Sequence, residues 1–107
     1  MKITYQSITK EELKEKIDNG QDFELINVLA PQYYDLGFIP GSKRIPLNEL
    51  ESRLHELKKW KDVVVYCAHQ ECDASRQAVE KLSQHGFRVR AYEGGIKEWK
   101  DAGYPFE

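Results

Sequence analysis

Short apolar runs and helix-spaced apolar positions alternate along this chain, and each switch of period carries its own start or stop signal. Thr9 followed by Glu12 forms a capping box, and Leu13 and Ile17 at i, i+4 predict a short amphipathic helix ended by Asn19-Gly20. Phe23 to Val28 is a compact apolar run, read as a buried strand. Ala30 to Gly37 predicts a short helical turn holding Tyr33 and Tyr34, and Ile39-Pro40-Gly41 a tight turn. Lys43 to Leu47 reads as a short strand, and Asn48 as the cap of a helix with Leu50, Leu54 and Leu57 on one face.

Val63-Val64-Val65-Tyr66 is the strongest strand in the chain. It has four consecutive β-formers and no polar alternation, the pattern of a strand covered on both faces. A loop follows from Cys67 to Asp73. Ala74 to His85 predicts a helix with Ala78 and Leu82 inward and Gly86 as its stop. Phe87 to Tyr92 predicts a last strand, Gly94-Gly95 a turn, and Ile96 to Ala102 a final helix with Trp99 buried. Strand and helix alternating at this pace imply the α/β class, with a mostly parallel sheet of about five strands and helices on both faces.

Length adds that 107 residues make one domain, spanning 1–107, and no repeat or linker divides it. The chain carries 16 Lys+Arg against 18 Asp+Glu, a net charge of −2. That balance offers no clustered cationic surface for nucleic acid or an anionic membrane. The N-terminus has no apolar core of signal or membrane-span length, which points to a cytoplasmic location. Two cysteines cannot make a disulfide scaffold, and thiols in a reducing compartment are reactive, metal-binding or simply buried.

Cys67 directly follows the strongest strand and precedes a helix. In open parallel sheets the carboxyl ends of the strands carry the reactive site. Unpaired N–H groups at a helix start and inward-turned loop amides stabilise a thiolate and lower its pKa. Strand, cysteine, loop and helix in that order therefore suit a nucleophile. A small hydrophobe finishing a strand is the alternative reading of the same position.

Leu25-Ile26-Asn27-Val28, Phe38-Ile39-Pro40-Gly41-Ser42, Ile45-Pro46-Leu47, Val64-Val65-Tyr66-Cys67 and Tyr92 through Trp99, followed by Gly103-Tyr104-Pro105, resemble a single-domain rhodanese in order and spacing over nearly the whole chain. The resemblance implies an α/β domain whose catalytic residue is Cys67. The implied reaction is sulfur transfer without a cofactor: the thiolate takes a sulfane sulfur from thiosulfate, a polysulfide or a protein persulfide, and passes it to a thiol or cyanide. The backbone amides of Ala68, His69, Gln70, Glu71 and Asp73 are the expected cradle for the persulfide anion. Such a protein needs only small sulfur-containing substrates or protein thiols as partners, and is expected as a monomer or weak dimer.

The loop departs from the common family form. It lacks the usual arginines and carries Glu71 and Asp73, carboxylates that oppose a thiosulfate dianion. Arg44, just before Ile45-Pro46, is a candidate for the missing positive charge, with a solvated surface side chain as the simpler alternative. Cys72 stands five residues after Cys67. It is a candidate resolving thiol, able to form a Cys67–Cys72 disulfide, or else an incidental small residue. Asn27 and Leu29 stand where the family usually has Asp and Arg, and Phe38 where it has His. Asp73 reads as an N-cap.

Three other readings compete. Related phosphatases need an arginine six residues after the cysteine, where this chain has Asp73. Zinc needs a second ligand pair that Cys67, His69, Cys72 and the distant His85 do not supply, so no metal is expected. A catalytically silent binding or regulatory module, and a thiol redox protein using a Cys67–Cys72 disulfide, are the remaining alternatives.

Overall fold

The Val63–Tyr66 run forms the middle strand of a five-stranded sheet because no position in it needs water. All four residues are buried in the computed structural model, which describes residues 6–69 and 72–107. In chain order the elements are β1 (Gln6–Ser7), α1 (Lys10–Asp18), β2 (Glu24–Asn27), β3 (Lys43–Arg44), β4 (Val63–Tyr66), α2 (Ala74–Gln84), β5 (Val89–Tyr92) and α3 (Gly95–Asp101). The strands lie in the order β1-β5-β4-β2-β3 and every pairing is parallel. The fold is α/β.

Side chains of β4 divide the interior in two. Val63 and Val65 point to the layer holding Ala78, Val79 and Leu82 of α2, together with Leu50 and Leu57. Val64 and Tyr66 point to the layer holding Leu13 of α1 and Ile96 and Trp99 of α3. Helices thus cover both faces, which is why the strand reads as continuous apolar sequence.

The predicted signals at the helix ends act as expected in α1 and α2. Thr9 Oγ1 accepts from the Glu12 N–H, and Glu12 Oε1 accepts from the Thr9 N–H, both at 3.1 Å. Gly86 has φ +86, and Phe87 N–H returns to the Leu82 carbonyl at 3.1 Å.

Three local expectations are corrected. Asn48 caps no α-helix. Leu47–Glu49 and Glu51–Glu56 are short 3₁₀ turns, with Pro46 at the first N-cap position, and Leu50 and Leu57 still reach the core. Only Lys43–Arg44 of the predicted third strand is strand, although Ile45 N–H and Leu47 N–H still donate to the Asn27 and Val28 carbonyls at 3.0 and 3.1 Å. Gln6–Ser7 is a short edge strand that exposed, polar residues gave no reason to expect. Among the described residues no helix is long and apolar enough to cross a membrane.

Asn27, Arg44, Tyr66 and Tyr92 share one register across the sheet at the strands' carboxyl ends. The segments that leave these residues build the site.

Candidate active site

Cys67 follows Tyr66 out of the middle strand and is fully buried. Two backbone hydrogen bonds fix its place. Ile96 N–H donates to the Cys67 carbonyl at 3.0 Å, and Lys97 N–H donates to the Ala68 carbonyl at 2.9 Å. The first turn of α3 is thereby docked on the backbone that carries the thiol. Gly95 makes this approach possible. Its φ is +68, and a Cβ there would sit 2.6 Å from the Ala68 carbonyl carbon and the Cys67 oxygen.

The thiol faces carbonyl oxygens. Cys67 Sγ lies 3.5 Å from the Cys72 carbonyl and 3.9 Å from the His69 carbonyl, both acceptors for its proton. Burial, with the Cys72 thiol adding to it and the Ser75 N–H and hydroxyl opposing it, pushes the thiol up from 9.0 to about 11. The expectation of a lowered pKa is corrected for this arrangement. Desolvation outweighs the donors at Ser75, and the His69 and Cys72 carbonyls stand beside the sulfur as acceptors. Gln70 and Glu71 lie outside the described residues.

The remaining predicted residues are divided. His69 is exposed, and its carbonyl accepts from Cys72 N–H at 3.0 Å. Asp73 occupies the N-cap position of α2 without a capping hydrogen bond from its side chain. Its carboxylate instead meets Arg76 Nη1 at 3.4 Å, and Arg76 Nε meets Glu93 at 3.7 Å. Arg44 does not supply the missing charge. Its guanidinium stacks on the Phe38 ring at 3.8 Å, and the shared register with Tyr66 places it on the sheet face opposite Val65. Phe38 packs as expected, also meeting Tyr34 edge-on at 5.2 Å.

Cys72 is half-buried and lines an open groove of about 680 Å³, whose apolar wall includes Leu29, Pro31, Tyr33, Leu47 and Ala74. Lys81 also lines it, with Nζ 2.8 Å from Glu51. Sequence reasoning missed this groove and Lys81, since Lys81 reads as an ordinary exposed helix position. It also took Gly95 for a turn residue only; two adjacent glycines before a helix are the signal that could have marked a close backbone approach. Among the described residues no three His, Cys, Asp or Glu side chains group to hold a metal ion.

Residues 9–102 match the Rhodanese-like domain family model. The chain belongs to the rhodanese-like family. It is 35% identical over 94% of its length to an HTH-type transcriptional regulator of Mycobacterium tuberculosis, of which it spans only 44%. It is 32% identical to a protein of Allochromatium vinosum named sulfurtransferase, covering 92% of this chain and 91% of that one. A rhodanese-related protein of Thermoplasma volcanium has the same fold, with a TM-score of 0.83 at 36% identity, covering 96% of this chain and 98% of that one. The family match runs from α1 through α3 and includes the Cys67 loop.

Proposed function

We propose that this rhodanese-like protein is a sulfurtransferase that carries a sulfane sulfur as a Cys67 persulfide. One observation carries the reading: Cys67 leaves the carboxyl end of the middle strand, with its backbone gripped by α3 and the Ser75 donors beside its sulfur. The match over 92% of the chain to a protein named sulfurtransferase supports it.

In the first displacement the Cys67 thiolate attacks the outer sulfur of the donor. An S–S bond forms to Cys67, and the donor leaves as a thiolate, or as sulfite from thiosulfate. In the second, an acceptor thiolate or cyanide attacks that outer sulfur and Cys67 is released. The covalent intermediate predicts ping-pong kinetics. Charge favours a persulfide donor, at most a monoanion, over the thiosulfate dianion, because the loop adds the Asp73 carboxylate near the site and Arg76 is already engaged by Asp73 and Glu93.

The test is mass spectrometry after incubation with each donor. The Cys67 peptide is expected to gain the mass of one sulfur atom, reversibly with cyanide, and Cys67→Ser to gain none there. Native protein that takes up sulfur from no donor overturns the reading and favours a regulatory module, the role suggested by the regulator it resembles.

A further inference from the structure

The two cysteines differ in a way that the family's single-nucleophile scheme leaves unused. Cys67 is fully enclosed, its sulfur covered by the His69 and Cys72 carbonyls, and it does not line the groove. Cys72 does line it. The two residues are also neighbours, since the Cys72 carbonyl lies 3.5 Å from Cys67 Sγ. An external donor reaches Cys72 without disturbing the loop, whereas contact with Cys67 needs the covering carbonyls moved.

We propose that Cys72 is the first sulfur acceptor and relays the sulfur inward to Cys67, in place of direct attack by Cys67 on the donor; the proposal rests on the reading above that sulfur is carried as a Cys67 persulfide. The donor is an organic persulfide, R–S–SH, whose carbon chain lies against Leu29, Pro31 and Leu47. The Cys72 thiolate attacks the outer sulfur, so that R–S⁻ leaves and Cys72–S–SH forms. The Cys67 thiolate then attacks that same sulfur, giving Cys67–S–SH and regenerating the Cys72 thiolate. Each step makes one S–S bond and breaks one, and no oxidant or reductant is consumed. Cys67 stores the sulfur away from solvent, and Cys72 exchanges it with the groove.

The apolar wall selects the donor. A persulfide with an alkyl body gains from burial there, and thiosulfate, a small dianion, gains nothing from Leu29, Pro31 and Leu47. Lys81 at the groove is held by Glu51 at 2.8 Å and so is a poor attractant for a free dianion.

The experiment uses n-butyl hydropersulfide and thiosulfate as separate probes, with rapid acid quench and peptide mass spectrometry. In the native protein the sulfur is expected on the Cys72 peptide first and on the Cys67 peptide later. Cys67→Ser is expected to retain sulfur on Cys72. Cys72→Ser is expected to load Cys67 from butyl persulfide at least tenfold more slowly, with an unchanged circular dichroism spectrum. Loading of Cys67 at the native rate in Cys72→Ser, or sulfur on Cys67 before Cys72 in the native protein, overturns the relay while leaving the sulfurtransferase reading intact. Native protein that accepts sulfur from neither probe overturns both.

Discussion

Replacing Gly95 by alanine forces two separate penalties onto the backbone that holds Cys67. The first is conformational: at φ +68 an L-residue with a Cβ costs about 1–2 kcal/mol. The second is steric. The new carbon would stand 2.6 Å from the Ala68 carbonyl carbon and the Cys67 oxygen, and 2.7 Å from the Ala68 oxygen. These are backbone atoms, unable to swing aside as a side-chain tip would, so relief requires α3 to move off the loop. Overpacking of this kind costs about 1–3 kcal/mol. Gly103 is the internal control. Its φ is +77 and nothing lies within 4 Å of the position a Cβ would take, so Gly103→Ala carries only the conformational penalty. Urea denaturation of both variants is the assay. With a slope of about 1–3 kcal/mol per molar urea, Gly95→Ala is expected to unfold roughly 1 M earlier than Gly103→Ala. It should also load sulfur more slowly, because the hydrogen bonds from Ile96 and Lys97 lengthen. Equal midpoints for the two variants would refute the claim that α3 docks on the loop backbone.

Four further outcomes follow from the same geometry. Cys67 has a folded pKa of about 11 against an ordinary 9.0, so the folded state holds its proton more tightly than the unfolded chain does. Its contribution is complete below about pH 9 and is lost as pH rises to about 11, a fall of up to about 3 kcal/mol visible in denaturation curves at fixed pH. Alkylation of Cys67, followed at that residue in the native protein, should climb about tenfold per pH unit up to that window, since only the thiolate reacts; a plateau below pH 8 would contradict the buried-thiol geometry. Tyr66→Phe removes the hydroxyl that accepts from the buried Ile39 N–H at 3.0 Å and meets Ser42 Oγ at 2.8 Å, and should cost about 1–3 kcal/mol by thermal or urea unfolding. Trp99→Ala should cost about 3–5 kcal/mol, because the indole is buried and its Nε1 donates to the Pro105 carbonyl, whereas Trp60→Ala, with Trp60 66% exposed, should stay within about 0.5 kcal/mol.

The class of the fold was legible wherever one physical cause acted alone. β4 is apolar throughout because both its faces are covered. The Thr9–Glu12 box and Gly86 mark helix ends through contacts within a few residues. The helix expected after Asn48 failed because leucines at helical spacing can also be buried from successive 3₁₀ turns, as Leu50 and Leu57 are. Arg44 failed for a related reason. A one-residue register decides which face a side chain occupies, and that register comes from pairing with Asn27.

The position of Cys67 after the central strand is a property of the sequence, because strand propensity and the following helix signal are local and the carboxyl end of a parallel strand is fixed once both exist. The state of its thiol is not. Burial, the Cys72 thiol and the donors of Ser75 set its pKa, and the grip on its backbone comes from α3, a segment distant in the chain. The same holds for Cys72. Its spacing from Cys67 could be counted, but its access to an apolar groove arises only when the segments after β2 and β3 converge on the loop after β4.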